Sequence, residues 1–158
     1  LPASRIEVLI HPQSVVHGMG TFRDGAVLAH LGHPDMRAPL QHAFTWPERS
    51  AQQVKTLDLA EAGTLTFERP DPESFPALAL GRRVAQSAGT EAAVLNAANE
   101  VAVEAFLAGR IRFPRIVGTV EEVLSCHSGH APRQSPSLED LLEADAWARR
   151  RAGESLSP

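Results

Sequence analysis

The side chains best suited to chemistry gather in the first third of this chain. The run Ile10-His11-Pro12-Gln13-Ser14-Val15-Val16-His17-Gly18-Met19 carries two histidines six residues apart, and His30, His33 and Asp35 follow at short range. Imidazole titrates near neutrality, so it serves proton transfer and metal binding alike. Seven histidines in all invite a metal reading, but the spacings argue against it. His11 and His17 would share a strand face only if the strand ran unbroken through Pro12. His30 and His33 lie three apart across a strand end. Neither pair matches a ligand pattern such as H-E-x-x-H, and no carboxylate pair completes a site. His127 and His130 sit in a polar stretch and are expected to be solvated. His17 is the better single candidate, because packing or a task must place an imidazole in mid-strand. On the residues alone, a core histidine bonded to backbone is the favoured reading.

Other chemistries find less support. Ser14 and Ser50 have no base at diagnostic spacing and no G-x-S-x-G surrounds them, which argues against a hydrolase. No G-x-G-x-x-G or Walker-type loop is present to cradle a phosphate or dinucleotide. Cys126 reads as a small apolar residue. Pro34-Asp35-Met36 reads as a turn, with Asp35 capping the helix that follows. Asn96, Asn99 and Glu100 look chemical but fall within an apolar helix, where such groups mostly make structural hydrogen bonds.

The elements that must position these residues follow from pattern and punctuation. Residues 6–10 read as a short buried strand. Residues 15–22 and 26–31 flank Asp24-Gly25, a strong hairpin signal. With Asp24 and Gly25 as the two central turn residues, Phe22 lies opposite Val27 and Met19 opposite His30. His17, Met19, Thr21, Leu28 and His30 then share a face. Gly18 and Gly20 suggest a bulge or a closely packed neighbour. A helix is expected over 35–46, ended by Trp46-Pro47. Residues 48–73 read as a connector with one short strand, 64–67. Helices follow over 75–87, 91–108 and 113–125, with Gly109 as a stop. A fourth begins at the capped Ser137-Leu138-Glu139-Asp140. The second of these is apolar on nearly every side, which marks a central core helix. Residues 152–158 are expected to fray.

The fold class is therefore α+β: a small, mostly antiparallel sheet segment with a packed helix, then a connector and a C-terminal four-helix bundle. The domain division is 1–47, connector 48–73, helical domain 74–153 and a disordered tail 154–158. Two or three strands are marginal alone, so the sheet is expected to need partners upstream or in another subunit. The formal net charge of −4, with Arg149-Arg150-Arg151 the sole basic block, disfavours nucleic acid. No apolar run approaches the ~20 residues that cross a bilayer. A single cysteine permits no intrachain disulfide and fits a reducing compartment. The first residue is Leu1, not Met, so an upstream segment or a processed end is expected.

The ordered motifs at 9–19, 31–39, 46–49 and 94–107 resemble the C-terminal part of the 1-deoxy-D-xylulose 5-phosphate reductoisomerases. The resemblance runs from Ile6 to about Ala148. The chain departs from the family's usual residues at Gly20, His33 and Leu40, and 127–136 is not family-like. The resemblance implies that His17 lies at the substrate pocket and supports catalysis, reversing the core reading. It implies, more weakly, that Pro34 and Met36 wall the substrate and nicotinamide region. It places Asn96, Asn99 and Glu100 in a helical domain away from the reaction. It further implies NADPH and a divalent metal (magnesium or manganese) as cofactors, with the metal and NADPH ligands in an N-terminal domain outside this chain. A phosphorylated sugar substrate, a homodimer formed through the sheet, and a cytoplasmic or plastid-stromal location complete what it implies. The isolated chain is then expected to be inactive. The alternative is a non-catalytic module for dimerisation or for complementing a separate N-terminal polypeptide.

Overall fold

The structure, a computed structural model, describes residues 2–51, 54–87, 89–127 and 135–157. Among these it is α+β, with one two-stranded antiparallel sheet and six α-helices. The chain divides into two compact units, Val8–Pro70 and Leu1–Glu7 with Asp71–Pro158.

The first unit is built around the hairpin of β1 (Val16–Thr21) and β2 (Val27–Leu31). The turn differs from the two-residue form expected. Phe22 and Ala26 close a three-residue loop, with Phe22 N–H donating to the Ala26 carbonyl (2.8 Å). Gly25 sits at φ +86°, the left-handed position such loops place last. Asp24 Oδ1 accepts from Ala26 N–H (3.0 Å). The extra loop residue shifts the ladder by one, so Thr21 faces Val27, Met19 faces Ala29 and Gly18 faces His30. The ladder then slips between Val16 and Gly18, because Val16 faces Leu31. His17 is the additional residue of this bulge. Both shifts move the ladder the same way, two positions in all, so the side-chain alternation is restored and His17 ends beside His30, though Met19 does not.

The strand expected over 6–10 does not form. Only Ile10 pairs, in an isolated bridge to Glu68, with both backbone hydrogen bonds at 2.9 Å. Ile6, Val8 and Leu9 are exposed rather than buried. The strand expected at 64–67 does not form either, and the bridge residue Glu68 lies just beyond it. A single pair satisfies too few backbone groups to propagate a ladder. α1 (Arg37–Thr45) begins two residues later than expected. The residue flanking the first helical turn is Met36, one place later than expected, while the Asp35 carboxylate accepts from the N–H of Arg37. α2 (Leu59–Ala62) lies in the stretch read as connector, and Asp58 caps it by accepting from Ala60 and Glu61 N–H.

The second unit is helical: α3 (Ala77–Gln86), α4 (Glu91–Leu107), α5 (Phe113–His127) and α6 (Leu138–Ser155). The apolar all-round pattern of α4 explains its place. It packs against α3, α5 and α6, most extensively against the last two. Its buried residues are small: Val94, Ala97, Ala98, Ala102 and Ala105. α6 meets it with a stripe at four-residue spacing, Ala144, Ala148 and Ala152. Small residues on both helices let the backbones approach, and α5 fills the remaining space with Val120, Val123 and Leu124. α4 stops at Gly109 (φ +72°), where Gly109 N–H donates to Phe106 and Arg110 N–H to Ala105, a Schellman ending. α6 starts with a reciprocal capping box between Ser137 and Asp140. It runs to Ser155, so fraying does not set in at residue 152, and Ala152 is fully buried.

His127 contradicts its expected solvation. It closes the last turn of α5, is buried, and lies 2.9 Å from Thr90 Oγ1 through Nε2. Its ring packs against Trp147 at 5.2 Å. His130 lies outside the described residues. Among the described residues no helix is long and apolar enough to cross a membrane.

Candidate functional site

The first unit holds a pocket of about 790 Å³. It is assembled from β1 and β2 through His17 and His30, from the following turn through Gly32 to Met36, and from α1 and its sequel through His42, Arg49 and Ser50. The three residues singled out by the family resemblance, His17, Pro34 and Met36, all line it. They come from two separate motifs, and the hairpin brings them together by returning β2 beside β1.

His17 is exposed, so it is not the backbone-bonded core histidine favoured on the residues alone. Its ring lies 5.6 Å from that of His30, tilted by 48°. A Cβ on Gly32 would come within 3.7 Å of His17 Nε2, so the ring rests close to that backbone. His33 Nε2 and His42 Nδ1 are buried without hydrogen-bond partners. The sequence reading had not singled out His42 or Arg49. Their signal was available only as polar residues on a short helix and after it, which is too common a pattern to mark a site.

The pocket's one carboxylate is already engaged. Asp35 accepts from the Arg37 backbone N–H (2.9 Å), from Arg37 Nε (3.0 and 3.1 Å) and from Nη2 (2.6 Å). These bonds hold the Asp35 carboxyl down to about 2, well below the ordinary carboxylate range. With Arg49 and four imidazoles around it, the pocket carries no uncompensated negative charge. Such a lining favours anionic or polar oxygen-rich ligands.

His11 and Gln13, in the same motif as His17, do different work. His11 stacks on Phe67 (4.7 Å) and shares a hydrogen bond with the Thr66 carbonyl through Nδ1 (2.9 Å). Gln13 donates to Thr66 Oγ1 and accepts from Thr66 N–H. The motif therefore fastens residues 66–68 beside 10–13, and only its end reaches the pocket. Ser14, at φ +51°, turns the chain between the two tasks. The asparagine-rich motif is structural. Asn96 donates to Glu100, which accepts from Arg149 of α6 (2.6 Å), which also pairs with Asp145 (2.7 Å). Arg149 beside it holds the Glu100 carboxyl below its usual range. Cys126 is exposed, not packed as a small apolar residue, and Arg151 lies 3.8 Å from its sulfur.

Among the described residues, no three His, Cys, Asp or Glu side chains converge to hold a metal ion.

A hairpin pocket of imidazoles beside a Pro-Asp-Met turn, joined in one chain to a compact helical unit, is a combination with known counterparts. The model of the family "DXP reductoisomerase C-terminal domain" matches residues 31–151, and the chain belongs to that family. Particular relatives share the same description. The 1-deoxy-D-xylulose 5-phosphate reductoisomerase of Burkholderia pseudomallei (strain 668) is 54% identical over 152 residues, 96% of this chain and 37% of that protein. The protein of the same description from Chlorobium phaeovibrioides is 50% identical over 157 residues, 99% of this chain and 40% of that one. Among solved structures, the reductoisomerase from Zymomonas mobilis in complex with NADPH superposes with a TM-score of 0.89 at 41% identity, over all of this chain and 41% of that one. A DOX-P reductoisomerase structure with fosmidomycin and magnesium gives a TM-score of 0.87 at 38% identity, over 94% of this chain and 39% of that one. The chain spans about two fifths of the length of the relatives it matches.

Proposed function

We propose that this chain is the C-terminal part of a 1-deoxy-D-xylulose 5-phosphate reductoisomerase. Joined to an N-terminal part, it serves the conversion of 1-deoxy-D-xylulose 5-phosphate to 2-C-methyl-D-erythritol 4-phosphate with NADPH and a divalent metal. The observation that carries this reading is the convergence of His17, Pro34 and Met36 on one pocket. In it His17 is the catalytic residue, able to hold or pass a proton at the substrate. Pro34 and Met36 form an apolar wall that keeps water from the transferred hydride. The N-terminal part supplies NADPH binding and the metal's ligands. The hairpin, with its exposed backbone edges, serves a homodimer, and the four helices of the second unit act as one bundle domain. By itself the chain neither binds NADPH nor turns over substrate.

The test is complementation. The chain is co-expressed with the N-terminal three fifths of the Burkholderia pseudomallei relative, and NADPH oxidation is followed with 1-deoxy-D-xylulose 5-phosphate as substrate. Activity is expected in the mixture and in neither part alone. His17→Gln in the mixture is expected to lower kcat by roughly a hundredfold or more, the usual worth of a proton-transfer group. Full activity in that variant would remove His17 from the reaction. Turnover by the chain alone would overturn the assignment of roles.

A further inference from the structure

The structure leaves His17 in an unusual position for a residue with a task. Its side chain is exposed, and among the described residues no hydrogen bond joins its ring to another group. An exposed imidazole on a strand is free to sample the staggered χ1 wells. Its own strand gives little support, because the next residue is Gly18, which brings no side chain. Gly18 is also the residue directly across from His30. The His30 ring therefore meets no side chain opposite it and lies against His17 instead, with centroids 5.6 Å apart and planes at 48°. That separation falls within the range in which aromatic rings attract one another. The Gly32 backbone also approaches the His17 ring. The ring thus has two close neighbours, and the bulge at His17 brings it beside them.

We infer that His30 is a positioning residue for His17: its ring packs on the His17 imidazole and fixes the rotamer that faces the pocket. This rests on the reading of His17 given above. It goes beyond that reading, because His30 acts through another side chain. What matters is a flat ring at position 30, not its nitrogens.

The experiment uses the 158-residue chain, isotope-labelled and complemented with the N-terminal part, and three variants, His30→Ala, His30→Phe and His30→Gln. Nuclear magnetic resonance reports the His17 Hα–Hβ couplings and the contacts between the His17 ring and the Gly32 Hα. His30→Ala and His30→Gln are expected to average the couplings and lose the contact, whereas His30→Phe keeps both. In the complemented enzyme, kcat is expected to fall roughly ten- to hundredfold in the first two, the scale of a misplaced catalytic group, with KM held and with Phe restoring the rate. Unchanged couplings in His30→Ala overturn the inference, and so does rescue by Gln but not by Phe. Changed couplings with undiminished turnover overturn it too. The separate His17→Gln variant then decides whether the catalytic role of His17 survives. If His30→Ala loses the Met19–Ala29 pairing, His30→Leu replaces it, keeping bulk without a flat ring.

Discussion

Replacing Ala148 with leucine tests the account of the helical unit most directly. Ala148 is completely buried at the centre of the Ala144–Ala148–Ala152 stripe, in the cluster that joins α4, α5 and α6. Leucine adds three carbons where the neighbouring buried residues of α4 are themselves mostly alanines. The helices must then separate or the leucine must leave its preferred rotamer. Overpacking of this kind costs about 1–3 kcal/mol. Leucine and alanine are both good helix formers, so propensity does not contribute much. For a unit of this size, 1 kcal/mol moves the melting temperature by roughly 4–8 °C, which gives a drop of roughly 5–20 °C. Ala146, two residues away, is exposed on the same helix. The same substitution there is expected to stay within about 0.5 kcal/mol of neutral. Thermal unfolding followed by far-ultraviolet circular dichroism separates the two, with denaturant midpoints as a second measure. Equal melting of Ala148→Leu and Ala146→Leu would refute the close approach of α4 and α6.

Four smaller tests address the other elements. Ser137→Ala removes the acceptor for Asp140 N–H and is expected to cost about 1 kcal/mol, read as faster amide exchange in the first turn of α6. Gly25→Val forces a branched residue into φ +86° and is expected to weaken the hairpin by about 1–2 kcal/mol, seen as loss of cross-strand contacts between Met19 and Ala29. Thr90→Val leaves His127 without its hydroxyl partner and is expected to cost about 1 kcal/mol, read from the melting temperature. The Asp35 carboxyl is held below its unfolded value, so its pairing contributes fully above about pH 4 and is lost as pH falls through about 2. An Arg37 Nε–H signal that stays unchanged down to pH 1, or that moves identically in Asp35→Asn, would count against the fork.

The helices were legible because several independent signals agreed on each. α4 showed an apolar surface on all sides and a glycine stop, and α6 showed a capping box before its leucines. The hairpin was legible in place but not in register. Asp24-Gly25 signals a tight turn equally well with two or three loop residues, and only the hydrogen bond between Phe22 and Ala26 distinguishes them. The bulge at His17 had a partial signal in Gly18 and Gly20, but no local feature says which residue is extra. The strands at 6–10 and 64–67 were misread because an apolar run signals burial, whereas a ladder also needs a partner. His127 was misplaced for a related reason. Its neighbours Thr90 and Trp147 lie far off in sequence, so the surrounding polar loop dominated the reading. In the pocket, His17, Pro34 and Met36 were reached through motif resemblance. His42 and Arg49 emerge only when α1 folds back beside the hairpin.

The three-residue loop and the bulge together make the hairpin a parity device. Each displaces the ladder by one position, and two displacements restore the original sense. Deleting one loop residue while keeping the bulge turns His17 away from His30, and straightening the bulge while keeping the loop does the same. Either change alone would take His17 out of the pocket it lines. Length changes in this hairpin are therefore viable only in compensating pairs, and an insertion scan through residues 22–26 would meet its constraint not at the turn but at the other end of β1.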